Sequence, residues 1–484
     1  MPSIFDKHFK GKPPAAPPTA PSPSAQSQSL PDSFETIYAK ALAAAAAKDF
    51  ERAIPLYEQA IALSPDSAEP YYKRANALKD VGRLEAAVAS YGQAIARKPD
   101  YAYAYCNRGV IQHRLGLVAE AVSSLDQAIV LEPNDAVAHY NRAMALQDCS
   151  RWSDAVASYN RAIAINPQDA DAQFNRALTL LYLGDFANGW PAFEWRLENA
   201  LRLGIAARRD YPQPRWQGEE SLAGKRLLVY HEQGLGDTIQ FCRYVALAAG
   251  QGASVILEVP ASLVNLLRTL EGVSDVVAMG SALPPFDYHC PLLSLPLAFK
   301  TMPDTIPAPP KYLSSDADKV AQWRALLGER TRPRIGLTWS GNANQPMEPR
   351  RRVPLADWVP HLPPEFDYFC LQKDLRADDR STRESSPLIT SFDVERLDFP
   401  NTAALCECLD LVVSVDTSVP HLSAALGQRT WVLLCAVPDW RWMRDSENTP
   451  WYPTMKLYRQ KSAGDWNDVL ARVAADLRRE FSTR

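Results

Sequence analysis

Four prolines, Pro65, Pro99, Pro133 and Pro167, stand 34 residues apart along the chain. Ala53, Ala87, Ala121 and Ala155 keep the same interval, as do Ala60, Ala94, Ala128 and Ala162. A fixed period of this length admits few folds, because each unit is one supersecondary element that cannot bury its apolar face alone and must stack on its neighbours. The small residues let two helices approach closely, and the proline closes the second because it cannot continue a helix. Tyr38, Tyr72, Cys106, Tyr140 and Phe174 share one register, the bulky position of the first helix. The pattern predicts five helix pairs between 34 and 203. The last is degenerate, with Gly189 and Trp190 replacing the alanine region of its second helix.

This is the tetratricopeptide signature, and it predicts a curved all-α superhelix whose concave face takes a peptide or a protein. Asn107, Asn141 and Asn175 recur at the same period, each followed by an arginine (Arg108, Arg142, Arg176). An amide both donates and accepts, so a ladder of them can pair with the main chain of an extended acceptor whatever its sequence. That reading resembles the asparagine ladder of O-linked N-acetylglucosamine transferases. The alternative is that these amides bond within or between repeats.

Ahead of the repeats, residues 1–33 include a Pro, Ala and Ser-rich stretch with little to bury, read as a disordered tether. The formal net charge of −4 shows no basic excess for a nucleic-acid backbone, so no nucleic-acid partner is expected. Eight cysteines are scattered without CxxC pairs, which predicts reduced thiols in a cytoplasmic protein. Neither a signal peptide nor an apolar run long enough to span a membrane is present in the sequence.

After a Pro-containing linker, 204–222, the periodicity changes. Short apolar runs alternate with amphipathic segments, an α/β pattern that implies parallel sheets with crossover helices. The pattern predicts two Rossmann-like halves, 223–325 and 326–484, facing across a cleft. In the first, "RLLVYH" and "SVILEV" read as strands; in the second, "RIGLTWS", "FDYFCLQ", "LVVSVD", "TWVLLC" and "MKLYRQ", followed by a closing helix.

Two turns carry possible chemistry. In "VYHEQGLGDTIQF", Gly234 and Gly236 imitate a dinucleotide fingerprint, but the third glycine position holds Ile239. Glu258, at the end of the next strand, imitates the ribose acid of such a fold. Asp237 follows the glycines where a helix begins. The amides and dipole there should keep it ionised and available as a general base, or it is a plain helix cap. In "LDLVVSVDTSVPHLSAALG" a strand ends at Asp416 and a helix starts over Thr417, Ser418 and His421, an arrangement suited to an anion. His421 either adds a donor to that anion or is a satisfied core histidine.

Together, "GLGDTIQF" and "SVDTSVPHLSAALG" resemble the two signature regions of the ADP-heptose:lipopolysaccharide heptosyltransferase family. The longer stretches "AGKRLLVYHEQGLGDTIQFCRY" and "PDWRWMRDSENTPWYPTMKLYRQ" are similar to bacterial proteins that join tetratricopeptide repeats to such a domain. The resemblance implies a GT-B fold and an inverting, metal-independent glycosyltransferase. It implies Asp237 as the catalytic base and Asp416, Thr417, Ser418 and His421 at the diphosphate of a nucleotide sugar. Gly234 and Gly236 would keep the turn free of side chains for an acceptor. The donor would be a nucleotide-diphosphate sugar with no further cofactor and no metal, and the acceptor a protein held by the repeats. Pro420 departs from the small residue usual inside the second motif.

Ser340, Asn342 and the run Arg350 to Arg352 follow the first strand of the second half, and Lys373 the next strand, where they could reach a diphosphate. The arginines could equally be a solvated basic patch. Trp440, Trp442, Trp451 and Tyr452 could wall a base or sugar pocket, or simply pack. The "DAD" strings at 169–171 and 316–318 lie in turns and predict no metal. A competing expectation is a repeat scaffold whose transferase-like half has lost catalysis.

Overall fold

The computed structural model describes residues 33–199, 209–345, 347–393 and 396–481. The expected tether and part of the linker lie outside them.

The chain divides into two compact units, Met1–Arg176 and Ala177–Arg484. In the first, the repeats are antiparallel helix pairs: α1 (Phe34–Ala46) with α2 (Phe50–Leu63), α3 (Ala68–Asp80) with α4 (Leu84–Arg97), α5 (Ala102–Arg114) with α6 (Val118–Leu131), and α7 (Ala136–Asp148) with α8 (Trp152–Ile165). The alanine registers pack as the period requires: Ala53, Ala87, Ala121 and Ala155 are fully buried, as are Ala60, Ala94, Ala128 and Ala162. Each first-to-second helix turn passes through the left-handed region at one register, Lys48, Gly82, Gly116 and Ser150. Only glycine takes that conformation without a Cβ penalty, so Lys48 and Ser150 are held there by the packing of their helix pairs.

The boundary between units falls inside α9 (Ala170–Tyr182), ahead of the repeat end expected at 203. Beyond it, α10 (Phe186–Phe193) packs on the α/β region. The cause is the degenerate position already noted: Trp190 donates its indole N–H to the carbonyl of Thr301 at 2.9 Å and meets Trp440 edge to face. Its register holds Ile54, Val88, Val122 and Val156 in the other units, and the larger indole packs on the α/β region instead.

The second unit holds two sheets. The first has the order β3 (Val273–Ala278), β2 (Ser254–Val259), β1 (Arg226–Tyr230), β4 (Tyr288–Pro291), with every pairing parallel. Residues 214–216 of the linker lie along the edge of β4, where Trp216 N–H donates to His289 O at 2.8 Å. The connection thus covers an open edge. The second sheet runs β10 (Asn448–Thr449), β11 (Tyr452–Arg459), β9 (Thr430–Leu434), β8 (Leu411–Val415), β5 (Arg334–Thr338), β6 (Asp367–Cys370), β7 (Ile389–Thr390). Only the β10 to β11 pairing is antiparallel.

All five strands read for the second half are present, four of them trimmed at their ends and the fifth, β11, beginning three residues earlier than "MKLYRQ". β4, β7 and β10 carried no strand pattern: β4 lies in a Pro-rich passage, and β7 and β10 are two residues long. The central strands read as continuous apolar runs because both faces are covered. Leu337, Val413, Val415 and Leu433 meet Val469, Val473 and Leu477 of the closing helix Asn467–Phe481 in one cluster. Among the described residues no helix is long and apolar enough to cross a membrane.

Candidate functional site

In an open parallel sheet, ligands bind outside the carboxyl ends of the strands where the strand order reverses. In the second sheet that point lies between β5 and β8, since β6 and β7 continue to one side and β9 and β11 to the other. The residues following these two strands are Trp339 and Ser340 on one side and Asp416 and Thr417 on the other. Topology therefore brings Ser340 and Asp416, far apart in sequence, to one crevice.

Around Ser340 the loop is shaped by a buried acid that sequence reasoning missed. Glu348, 1% exposed, accepts from Gly341 N–H at 2.9 Å, from Arg351 Nε at 2.8 Å and from Arg376 Nη2 at 2.7 Å. Arg352 pairs with Asp379 at 3.0 Å. Two of the three adjacent arginines are thus committed to holding the loop rather than to a ligand, while Arg350 is exposed. Asn342 is exposed, its Oδ1 accepting from Asn344 N–H, and Lys373 is exposed after β6. Ser340 is buried, and among the described residues its hydroxyl has no partner; nor does that of Thr338.

Across the crevice, Thr417 caps the helix Ser418–Ala425, accepting from Val419 N–H at 3.3 Å. The helix runs on through Pro420 at its third position, where the missing N–H would have had no intrahelical acceptor. Burial pushes the Asp416 carboxyl up to about 6, with the Asp439 carboxylate adding to the rise. His421 is packed rather than presented to a ligand. Its Nδ1 lies 2.9 Å from the Tyr452 hydroxyl, its ring stacks on Trp442, and Nε2 is 4.0 Å from Asp416. Burial holds its pKa well below the usual histidine range, so the ring is neutral. The satisfied-histidine reading is the one its contacts fit.

The turn after β1 meets this helix directly. The helix Leu235–Phe241 begins at Gly234, and a Cβ on Gly236 would lie 3.0 Å from Cδ2 of His421 and 3.4 Å from Cα of Ser418. The glycine is required for one helix start to approach the other, a different job from clearing space for an acceptor. Asp237 is the third helical residue, not the cap. Its Oδ2 accepts from Gly234 N–H at 2.8 Å, and its Oδ1 is ion-paired with Arg441. Burial raises the Asp237 carboxyl, opposed by Arg441 and the Gly234 amide and reinforced by Asp439. The helix amide and the guanidinium thus work against desolvation at this carboxylate.

Arg441 is the central residue that sequence reasoning left out. It joins Asp237, 204 residues away, to Asp439, which accepts from its Nη1 at 2.6 Å, and it lies over the Trp440 ring. Nothing local in "PDWRWMRD" marks Arg441 above its neighbours, since its partner is set by topology. The aromatics of that segment pack rather than wall a pocket: Trp440, Trp442, Trp451 and Tyr452 are all buried, and Trp440 also meets Phe193 and Phe241.

Elsewhere, the imitation of a dinucleotide site dissolves, because Glu258 is buried and ion-paired with Arg209. The asparagine ladder is turned inward. Asn107 Nδ2 lies 3.1 Å from the Tyr72 hydroxyl of the preceding repeat, and Asn175 Nδ2 lies 3.0 Å from that of Tyr140. Asn141 Nδ2 donates to Val137 O at 2.8 Å. These amides bond within and between repeats. The two "DAD" strings are helix caps, Asp169 and Asp316 accepting from amides two and three residues on.

Residues 43–82, 75–116 and 145–184 match the TPR repeat family, and 102–135 match the Tetratricopeptide repeat family. The chain therefore carries tetratricopeptide repeats. It is 28% identical over 324 residues to Protein FlbA of Caulobacter vibrioides, an alignment covering 62% of this chain and 53% of that protein. The chain thus spans about half the length of this curated relative. Among solved structures, MamA from Desulfovibrio magneticus is 15% identical, covering 35% of this chain and 94% of its own with a TM-score of 0.32. YrrB, described as a TPR protein with an unusual peptide-binding site, is 20% identical, covering 34% and 84% with a TM-score of 0.32. Scores this low carry no structural argument.

Proposed function

We propose that the second unit is a glycosyltransferase of the GT-B type, inverting and independent of metal, and that the repeats recruit its acceptor, a protein. The observation that carries this reading is the meeting of the two motifs. Gly236 packs on His421 and Ser418, and Asp237 reaches Arg441, beside the crevice where β5 and β8 part.

In the proposed reaction Asp237 accepts the proton of an acceptor hydroxyl as its oxygen attacks the anomeric carbon of a nucleotide sugar. The bond from that carbon to the diphosphate oxygen breaks, inverting the centre. A carboxyl raised by burial is a stronger base than an exposed one, which suits this role. The departing diphosphate is stabilised by the amides opening the helix Ser418–Ala425, by the Thr417 and Ser340 hydroxyls and by the Arg441 guanidinium. Arg441 is a fork able to exchange the Asp237 carboxylate for a phosphate.

Thermal stabilisation of the full chain by ADP, UDP, GDP and dTDP tests the donor half. A nucleotide that binds should add about 2.7 kcal/mol at 100 times its dissociation constant. Mass spectrometry of co-expressed candidate acceptors tests the chemistry: Asp237→Ala should abolish the mass increment while leaving the nucleotide response intact.

A second reading is a repeat scaffold whose transferase-like half is inactive. It is favoured by the Asp237 to Arg441 ion pair, which occupies the base. No response to any of the four nucleotides would support it and overturn the transferase.

A further inference from the structure

The amino-terminal edge of the second sheet, opposite the crevice, holds a cluster that the transferase reading does not use. Arg324, Arg330 and Arg334 line a cavity of about 350 Å3 together with Gly328, Glu407, Cys408 and Leu409. That volume lies within the range of small-ligand sites. Arg334 opens β5, so the length of a five-residue strand, roughly 13 Å at 3.3 Å per residue, separates this cavity from Ser340.

The charges here do not balance. Arg330 is paired with Asp410, and Glu407 is taken by Lys311 at 3.1 Å. Arg334 is 6% exposed, yet its guanidinium has no carboxylate partner: Nη2 donates to Leu327 O at 3.0 Å and Gly328 O at 2.8 Å, and Nε has no partner. Those carbonyls end the helix Ala317–Leu327, whose negative dipole end offsets the charge in part and fixes the guanidinium in place. Arg324 is exposed, with the Cys408 thiol as its side-chain contact. Glu407 and Asp410, whose Oδ2 accepts from the Arg334 backbone N–H at 2.8 Å, are the acids here, and each already pairs with another cation, so among the described residues the Arg324 and Arg334 guanidinium groups face the cavity without a carboxylate of their own. Burying a cation without a counter-charge is costly, and a bound oxyanion removes that cost.

We propose that this cavity is a second binding site, for a phosphate-sized oxyanion held by Arg324 and Arg334 with Cys408 at its wall. Guanidinium forks match the oxygens of such a group in a way that a point charge does not. The site is independent of the transferase reading, because it shares no residue with the crevice.

Cys408 supplies a local reporter. Its thiol is partly exposed, Cys149 is exposed, and the other six cysteines are buried. The full chain is treated with iodoacetamide across a titration of inorganic phosphate, with potassium chloride matching the ionic strength, and alkylation at Cys408 and Cys149 is followed by peptide mass spectrometry. Phosphate at ten times its dissociation constant should slow Cys408 about tenfold and leave Cys149 unchanged. Chloride alone should do neither. In Arg324→Ala, which removes no ion pair, the ratio of Cys408 rates without and with phosphate should fall towards one. An unchanged Cys408 rate up to tens of millimolar phosphate, slowing equal to that of Cys149, or full protection in the variant would each overturn the proposal. Phosphate bound only at the crevice would slow neither thiol, which separates this outcome from any result on the transferase.

Discussion

The two sheets of the second unit have the same kind of reversal in strand order and treat it in opposite ways. In the first, the reversal lies between β1 and β4, and its carboxyl-end residues are Glu232 and Leu293 with Ser294. Arg196 fills that crevice: Nε and Nη2 grip both oxygens of Glu232 at 2.9 and 3.0 Å, and Nη2 also donates to Ser294 Oγ at 2.7 Å. Glu194 accepts from Arg196 Nη1 at 2.6 Å and is ion-paired with Arg215, while Leu293 N–H caps Glu232 at 2.8 Å. The four charged groups pair, although Arg215 Nε has no partner among the described residues. In the second sheet the crevice keeps a buried hydroxyl without a partner at Ser340 and a carboxyl raised at Asp416. One crevice is closed by paired charges, and under the transferase proposal the other is open to a diphosphate.

The sharpest way to break this comparison is to open the saturated side. Arg196→Met leaves Glu232, 2% exposed, without its cation, and breaking a buried pair in this way costs about 3–5 kcal/mol. Urea unfolding of the full chain should show the loss in the transition of the α/β region. Adding Glu232→Gln should recover much of it, because the amide oxygen can still accept from Leu293. A cost under about 1 kcal/mol for the single variant would mean that the network is ornamental.

The next effect comes from the unsatisfied side and carries a sign. Asp416 binds its proton more tightly in the folded chain than in the unfolded one, so its contribution to stability falls as pH rises from about 4 to about 6. His421 acts oppositely: with its pKa lowered, its neutral form supports the fold above the ordinary histidine value, and that support is lost as pH falls. The two slopes oppose each other in the wild type, so only a variant separates them. Asp416→Asn should match the wild type below pH 4 and exceed it above pH 6, read from thermal midpoints at each pH. A constant offset at all pH values would remove Asp416 from the unsatisfied set.

Legibility from sequence follows the range of the interaction. The repeats were readable because a 34-residue period restates one local rule at each turn, and the left-handed register of Gly82 and Gly116 follows the same rule. The central strands were readable because both faces are covered. Arg441 and Arg196 were not, since their partners lie 204 and 36 residues away and are chosen by topology. Asn107 shows a third case. Its period was legible, but whether it faced a groove or the neighbouring Tyr72 was not, because both uses need an amide at that spacing.

Gly236 tests how the unsatisfied side is closed. Alanine there would gain helix propensity of up to about 1 kcal/mol, but its Cβ would press on the His421 ring and the Ser418 backbone, and overpacking costs about 1–3 kcal/mol. A net loss of about 1 kcal/mol is expected, and pairing it with His421→Ala, which removes the nearer contact, should shrink the loss. Additive losses in that double-mutant cycle would separate the two motifs energetically, whatever their distance.

The smallest effect on stability should be the most informative about function. Ser340→Ala removes a hydroxyl that bonds nothing among the described residues, so unfolding free energy should change by less than about 0.5 kcal/mol or rise slightly, since an unpaired buried polar group is lost. If the crevice is reserved for a diphosphate, the same change should weaken nucleotide binding by about 1 kcal/mol, roughly fivefold in dissociation constant. Stability and binding then move independently, which is what distinguishes a group held for a ligand from one held for the fold. A Ser340→Ala variant that loses stability without losing nucleotide affinity would place its hydroxyl in the fold after all, and the contrast between the two crevices would rest on Asp416 alone.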